Sequence, residues 1–416
     1  MPFDYGLTRS PARILFGHGQ VRALGPVAAS LGCKALLCTD ERIGSLPLLK
    51  EILADLAAHG VEARAFTETQ PELPKAGIVA CAERFRDFAP DMVIGLGGGS
   101  CMDLAKLVAL LLSHGGDLSD YFGEFKVPGP LLPVIAIPTT SGTGSEVTPV
   151  AVLADDEREL KVGISSPELI PQVAICDPEL TLTCPAGLTA ISGADALAHA
   201  LEAFSAHRRT PEPDMALTRV FVGKNILSDQ YALVAIRLIF THLRRAVADG
   251  KDGEARSGLM LASTFAGLAF GTAGTSAAHA IQYPVGALTH TAHGLGIGTL
   301  LPYVMEHNAS ACAEDYAAIG RTIGVVEAGM DDTTAAQATI AAIKALFADI
   351  GIPRGLDALG VSADHIDWIA DRSLRAARLV DNNPRPLTHE GVAAILRAAL
   401  SPQSPHTAPN LETARD

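Results

Sequence analysis

Several things are scarce in this chain of 416 residues. There is one tryptophan, and only 19% of the residues are charged. Basic charge is in deficit: 32 Lys and Arg face 46 Asp and Glu, leaving a formal net charge of -14. A chain of that sign repels the phosphate backbone of nucleic acid and the face of an anionic membrane, so neither is expected as a partner. The seven cysteines, at 33, 38, 81, 101, 176, 184 and 312, are odd in number, and no pair has CxxC spacing. That argues against a disulfide framework and against a thiolate zinc site, and fits scattered buried thiols in a reducing cytoplasm. Long apolar runs are missing as well. Stretches such as Leu107–Leu112 fall far short of the ~18 residues of a membrane span. The opening MPFDYGLTRSPARILFG has no basic region followed by an apolar one, so no secretory signal is expected.

What is present is globular: 48% hydrophobic residues and enough length for two cores. The first half alternates short apolar runs with helical patterns. Strands are predicted at Lys34–Cys38, Val61–Phe66, Asp91–Leu96 and Pro133–Ile137. Helices are predicted at Leu48–His59, Lys75–Phe88 and Ser100–Ser113, the last capped by Ser100. Such alternation implies a parallel sheet covered by helices. Beyond about residue 185 the strand-like runs vanish. Ala-rich helical patterns take over at Thr189–Phe204, Asp229–Ala248, Glu254–Phe270, Thr333–Ile350 and Ala363–Ala376. The expected organisation is therefore an α/β dinucleotide-binding domain over 1–185 and an all-helical domain over 186–400. The polar, Pro-bearing stretch 401–416 reads as a disordered tail.

Two loops point to a phosphate-bearing ligand. DMVIGLGGGSCMDLAK reads as strand, triple glycine, helix. Glycines let the backbone approach a phosphate, and the helix start offers N–H groups and the positive end of its dipole. It is not the Rossmann fingerprint, because Ser100 stands where GxGxxG begun at Gly95 would need its last glycine. The second loop, Pro138–Glu146 (PTTSGTGSE), follows another predicted strand with hydroxyls suited to a pyrophosphate. Two such loops at strand C-termini suggest one crevice. Asp40 ends the first strand run and could hold a ribose diol while repelling a 2′-phosphate; a helix cap is the competing role.

A metal site is suggested in the second half. Asp195 and His199 in GADALAHALEAF stand at i,i+4 and share a helix face. His279 and His293 bracket AHAIQYPVGALTHTAHG, with His290 in the same segment. One carboxylate and three imidazoles suit a divalent first-row ion such as iron or zinc. On spacing alone an ordinary buried Asp–His pair remains an alternative, and His290 is not distinguished from its neighbours.

Taken together, GGGSCMDLAK at 97–106, PTTSGTGSEVT at 138–148, GADALAHALEAF at 193–204 and HAIQYPVGALTHTAHG at 279–294 resemble the iron-containing (group III) alcohol dehydrogenases. The resemblance spans nearly the whole chain. It implies a dehydroquinate synthase-like two-domain fold and commonly a homodimer. It also implies Fe2+ (or Zn2+) held by Asp195, His199, His279 and His293, so that His290 is not a ligand. NAD(H) would be held by the two loops. The cofactor contacts expected are Asp40, Gly97, Gly98, Gly99, Ser100, Asp103, Thr139, Thr140, Thr143, Thr148 and Lys161. The implied reaction interconverts a small-molecule alcohol and an aldehyde or ketone by hydride transfer.

Two departures qualify the substrate. Tyr283 stands where many alcohol-oxidising members have a further His; a phenol keeps its proton at neutral pH and serves better as a hydrogen-bond donor than as a base. The insertion His207–Lys224, before Asn225–Asp229, is similar to the hydroxyacid-oxoacid transhydrogenase branch. Its Arg208, Arg209, Arg219 and Lys224 raise the alternative of an acid-bearing substrate, because a guanidinium grips a carboxylate at two points. A catalytically silent metal- and nucleotide-binding protein would have no need to keep all four metal donors. A dehydroquinate synthase-like lyase would need further Lys and Arg phosphate ligands.

Overall fold

A computed structural model describes residues 5–155 and 160–400; the tail expected over 401–416 lies outside them. The chain forms two compact units. One comprises Arg9–Leu182 together with Asp214–Val220, and the other the described residues of 1–8, 183–213 and 221–416. The segments 1–8 and 214–220 thus each belong to a different unit from the residues that adjoin them in sequence.

In the first unit the strands are β1 (Arg13–Phe16), β2 (Lys34–Cys38), β3 (Glu62–Phe66), β4 (Met92–Gly97), β5 (Gly123–Glu124), β6 (Val134–Pro138), β7 (Val150–Asp155), β8 (Leu160–Ser165) and β9 (Val173–Cys176). Six build a parallel sheet in the order β1-β9-β6-β4-β2-β3. The hairpin β7–β8 and the short β5 make a separate three-stranded sheet. The helices of this unit are α1 (Leu24–Ala29), α2 (Glu41–Gly44), α3 (Pro47–Ala58), α4 (Lys75–Phe85) and α5 (Gly99–His114). Alternate strand residues serve opposite faces. Ala35, Leu37, Met92 and Ile94 pack with Leu24, Ile52 and Leu56, while Leu36, Cys38 and Val93 pack with Ile78, Leu104 and Val108. Both faces are covered, which is why these strands read as unbroken apolar runs.

Connections leave β2 toward β3 on one side and return through β4 on the other. The sheet's topological switch point therefore lies between β2 and β4, where open α/β sheets bind ligands at the strands' C-terminal ends. Close packing there depends on glycine. A Cβ on Gly95 would stand 2.9 Å from the Met102 Cα, and one on Gly97 2.5 Å from the Cys101 Sγ. Gly97 also has φ 148°, a conformation that glycine alone adopts readily.

The helical unit contains α6 (Ala186–Phe204), α8 (Ile226–Ala248), α9 (Gly253–Ala273), α10 (Ala277–Thr289), α11 (His293–Thr322), α12 (Asp332–Asp349), α13 (Ile366–Ser373), α14 (Ala377–Asp381) and α15 (His389–Ala399); the short α7 (Met215–Thr218) belongs to the parallel-sheet unit. Every residue of α6 from Gly193 to Phe204 is buried. A helix enclosed on all sides needs small residues so that neighbours can approach: a Cβ on Gly193 would stand 2.3 Å from the Leu243 Cδ1 of α8. By length and composition α8 could cross a membrane; here nine of its side chains are buried in the unit.

Three sequence expectations change. Helix α5 begins at Gly99 with Gly98 as its N-cap, so Ser100 lies inside the first turn and does not cap it. The helix expected over Ala363–Ala376 becomes a 3-10 turn (Ala363–His365) and α13, and ends at Ser373, three residues short of the expected end. Helices α10 and α11 arise where none was expected, despite Pro284 and Pro302 inside them.

Lys106 of α5 ties the loop after β6 in place. It is fully buried, and its ammonium donates to the Thr148 carbonyl at 3.0 Å and the Val150 carbonyl at 2.8 Å. Burial lowers its pKa to about 8, against the pull of Asp103 and Glu146, so it remains mostly charged at neutral pH. Lys106→Met leaves two carboxylates without their buried counter-charge. Unfolding in urea should show a loss of about 3–5 kcal/mol, as when one partner of a buried pair is removed.

Candidate metal centre and dinucleotide loops

Asp195 and His199 lie one turn apart on α6 and are 4% and 6% exposed. His279 lies in the first turn of α10, and His293 is the first residue of α11. The Asp195 Oδ1 is the common neighbour of three ring nitrogens: His199 Nε2 at 3.8 Å, His279 Nε2 at 3.7 Å and His293 Nε2 at 3.8 Å. Donor atoms of Asp195, His199 and His279 all lie within 4.8 Å of one another. His293 closes the set from a more exposed side, its side chain 31% accessible.

The far side of His279 decides how this cluster can be used. Its Nδ1 lies 2.6 Å from the Glu202 Oε2. With Nδ1–H donating to that carboxylate, the neutral ring turns an Nε2 lone pair toward Asp195. That nitrogen is buried and has no hydrogen-bond partner among the described residues. A lone pair facing a carboxylate oxygen across 3.7 Å calls for a cation between them, and ligand bonds of about 2.0–2.2 Å can span the gap. The donor set, three imidazole nitrogens and one carboxylate, suits iron or zinc.

Glu202 was missed in the sequence, although the signal was there: it stands seven residues after Asp195, on the same helix face. Besides His279 it accepts the Ser276 amide at 2.9 Å and the Ala278 amide at 2.7 Å. Burial pushes its pKa up, but the His279 ring and the two amides outweigh burial, so it lies below the usual glutamate value. Phe270 stacks on His199 with ring centroids 4.2 Å apart. Tyr283 lies beside His293, ring centroids 6.3 Å apart at 29°. His290 is exposed and ends α10 in the left-handed region.

In the parallel-sheet unit, the ends of β2, β4 and β6 carry the expected nucleotide residues. The two loops are joined directly, since the Thr139 amide donates to the Gly97 carbonyl at 3.0 Å. The Thr139 hydroxyl is buried without a hydrogen-bond partner among the described residues. A Cβ on Gly99 would stand 2.8 Å from the Thr143 Cγ2, and one on Gly98 3.7 Å from the Thr140 Oγ1. Ser100 is in the first turn of α5, whose N-cap supplies no side-chain hydrogen bond. Other residues are engaged by the protein. Asp103 accepts the Ser145 hydroxyl at 2.6 Å and the Val152 amide at 2.9 Å. Thr148 faces Lys106, and Lys161 of β8 pairs with Glu72 at 3.0 Å. Asp40 caps α2 by accepting the Ile43 amide at 2.7 Å.

The insertion residues also have local partners. Lys224 is buried against Asp229 at 3.0 Å and Asp315 at 3.4 Å, and donates to the Phe204 carbonyl. Arg209 reaches the Asp381 carbonyl at 3.4 Å. Arg208 is exposed and lines a cavity of about 750 Å³ with Glu314 and Asp315. Arg219 is exposed in the parallel-sheet unit.

The profile of the iron-containing alcohol dehydrogenases matches residues 11–178, and that family's C-terminal profile matches residues 189–400. The chain belongs to the iron-containing alcohol dehydrogenase family. It is 34% identical over 391 residues to the NAD-dependent methanol dehydrogenase of Bacillus methanolicus, covering 94% of this chain and 98% of that one. It is 31% identical over 421 residues to the mitochondrial hydroxyacid-oxoacid transhydrogenase of Bos taurus, covering 95% and 90%. The solved structure of a 1,3-propanediol oxidoreductase superimposes with a TM-score of 0.88 at 34% identity, covering 95% of this chain and 100% of that one. Like the family it belongs to, the chain is an oxidoreductase with a parallel-sheet unit followed by a helical one.

His293 depends on close contact between α6 and α11. A Cβ on Gly294 would stand 2.3 Å from the Ile191 carbonyl and 3.3 Å from the Asp195 Cβ. Gly294→Ala must therefore push the first turn of α11 off α6. Thermal and urea unfolding should show a loss of about 1–3 kcal/mol, as for other overpacked sites. Gly187→Ala, also on α6 but with nothing within 4 Å, should not lose stability.

Proposed function

We propose that the enzyme interconverts an alcohol and an aldehyde or ketone with NAD(H), using one divalent iron ion, or zinc, held by Asp195, His199, His279 and His293. The observation behind this reading is the convergence of three Nε2 atoms on one Asp195 oxygen, with the His279 Nε2 buried and lacking any hydrogen bond. Bound there, a divalent metal supplies Lewis acidity toward an alcohol oxygen, and the nicotinamide supplies the hydride acceptor. Asp195 contributes the single negative charge among the four donors, so the set leaves positive charge for a substrate oxygen. Phe270 screens one face of His199 from water. Tyr283 offers a phenol O–H beside His293 and acts as a hydrogen-bond donor to the substrate oxygen.

For the nucleotide, Gly97, Gly98, Gly99 and Ser100 place the α5 N-terminus against the pyrophosphate, with Thr139, Thr140 and Thr143 adding hydroxyls. Asp40 stands at the end of β2, where an acidic residue accepts from a ribose diol and repels a 2′-phosphate. NAD(H) over NADP(H) is the expected preference; one Asp40 oxygen caps α2, and the other accepts from the Cys101 thiol at 3.9 Å. Asp103 and Thr148 act one step back, by holding the loop. Lys161 contributes positive charge from β8.

Asp195→Ala and His279→Ala should abolish turnover and bring metal content down from about one ion per chain. NADH binding, followed by fluorescence titration, should stay near the parent's, because the proposed nucleotide residues are all in the other unit. Parent activity that survives complete metal stripping contradicts the reading.

An acid-bearing substrate is the second reading, favoured by the likeness to the hydroxyacid-oxoacid transhydrogenase. Of the insertion's cations, Lys224 is committed to Asp229 and Asp315, carboxylates that Arg208 also faces; Arg208, exposed on the cavity beside them, is the arginine to test for an anionic group. Under this reading Arg208→Ala lowers kcat/KM for a small hydroxyacid by roughly tenfold or more, as for a lost charged hydrogen bond, and spares a neutral alcohol of similar size. Equal effects on the two substrates return the insertion to a structural role.

A further inference from the structure

Glu202 is a glutamate on a helix enclosed on every side, and it is 3% exposed. Such a charge is costly unless several donors meet it. Three do: the Ser276 amide, the Ala278 amide and the His279 Nδ1, at 2.9, 2.7 and 2.6 Å. All three belong to a single stretch of four residues. That stretch follows a bend of 102° between α9 and α10, and it opens α10, whose own N-cap residue, Ser276, gives no side-chain cap. Glu202 therefore caps α10 from a neighbouring helix and grips the ring that α10 presents.

We propose that Glu202 is a positioning residue for the metal centre. It accepts the Nδ1 proton of His279, which keeps the Nε2 lone pair aimed at Asp195, and it anchors the turn of backbone on which His279 is mounted. This inference rests on the metal reading above and adds a residue that is not a ligand.

The role separates from simple packing through Glu202→Gln, which keeps size and shape. An amide has one acceptor oxygen and one donor nitrogen, and three N–H groups cannot all be served by it. Placed at the Oε1 position, the NH2 group confronts the Ala278 amide; placed at the Oε2 position, it confronts the Ser276 amide and faces Nδ1, making that nitrogen the acceptor. In the second case the ring proton moves to Nε2, where it blocks metal binding.

The test measures zinc affinity by chelator competition, and the visible absorption of the cobalt-substituted protein, for the parent, E202Q, H279A and the double variant. E202Q should bind zinc about 10–100-fold more weakly, the usual effect of losing a carboxylate behind a ligating histidine, with shifted cobalt bands and NADH binding unchanged. In the H279A background the further effect of E202Q should nearly vanish, because its route to the ion is gone. Parent-like affinity in E202Q, or an undiminished loss in the H279A background, overturns the proposal. If E202Q does not fold, Glu202→Asp is measured instead. It keeps the charge but withdraws by one methylene, so folded protein with weakened zinc binding is expected and parent-like affinity overturns the proposal. Zinc binding by the parent that ignores His279→Ala removes the metal reading itself, and this inference with it.

Discussion

A carboxylate on a helix with no solvent side has to be answered by groups from other helices, and the helical unit is built around that requirement. Twelve consecutive residues of α6 are buried, and among them stand Asp195, His199 and Glu202. Spacing on the helix puts all three on one face, so their needs are met in one place. Glu202 draws in the start of α10 through two amides and a ring. Asp195 is approached by rings from α6, α10 and α11. The small residues of α6 and α11 allow these close approaches, as at Gly294 against Ile191. Packing and electrostatics thus constrain each other: the helices come close because glycine permits it, and the polar face of α6 is tolerable because they come close.

The parallel-sheet unit meets a different constraint with similar means. Its loops must bring backbone N–H groups to a point while the strands beneath stay fully apolar. Gly95 and Gly97 let α5 press onto β4, and Lys106 and Asp103, both from α5, hold the loop after β6 through backbone and hydroxyl groups. The charges close to that loop are therefore spent on the protein's own structure, leaving amides and hydroxyls as the natural contacts for a phosphate.

Much of this was legible in the sequence, for reasons that can be stated. Strands β2, β4 and β6 are covered on both faces, so their apolar runs were unmistakable, and the glycine and threonine loops announced themselves by following those runs. Asp195 and His199 were legible because i,i+4 spacing is a local property. The pairing of His279 and His293 with them was not legible from spacing and came only through the family resemblance, because α10 and α11 meet α6 only in the folded chain, and His290 in the same segment has the same chemistry. Both helices contain proline, which hid them. Strand β1 was hidden by its shortness and by the exposure of Ile14 and Phe16. Asp40 takes the helix-cap role that competed with the ribose reading in the sequence, since its carboxylate accepts the Ile43 amide. The arginine-bearing insertion was the least legible part: whether a charged loop residue finds a partner depends on carbonyls such as those of Asp381 and Phe204, which are distant or unremarkable in sequence.

The short segment 214–220 has a consequence for how this chain can be divided. Although the residues on both sides of it belong to the helical unit, it groups with Arg9–Leu182. There Arg9 donates to the carbonyls of Ala216 and Val220 at 2.7 and 2.6 Å, and Glu124 accepts the Val220 amide at 2.7 Å. A gene fragment that ends at residue 182 would encode the whole sheet yet lose the carbonyls of Ala216 and Val220 that Arg9 reaches and the Val220 amide that Glu124 accepts. The parallel-sheet unit is therefore not an excisable module. Swapping it between relatives requires a second, seven-residue graft far downstream, and recombination at a single crossover would carry a mismatch at that position.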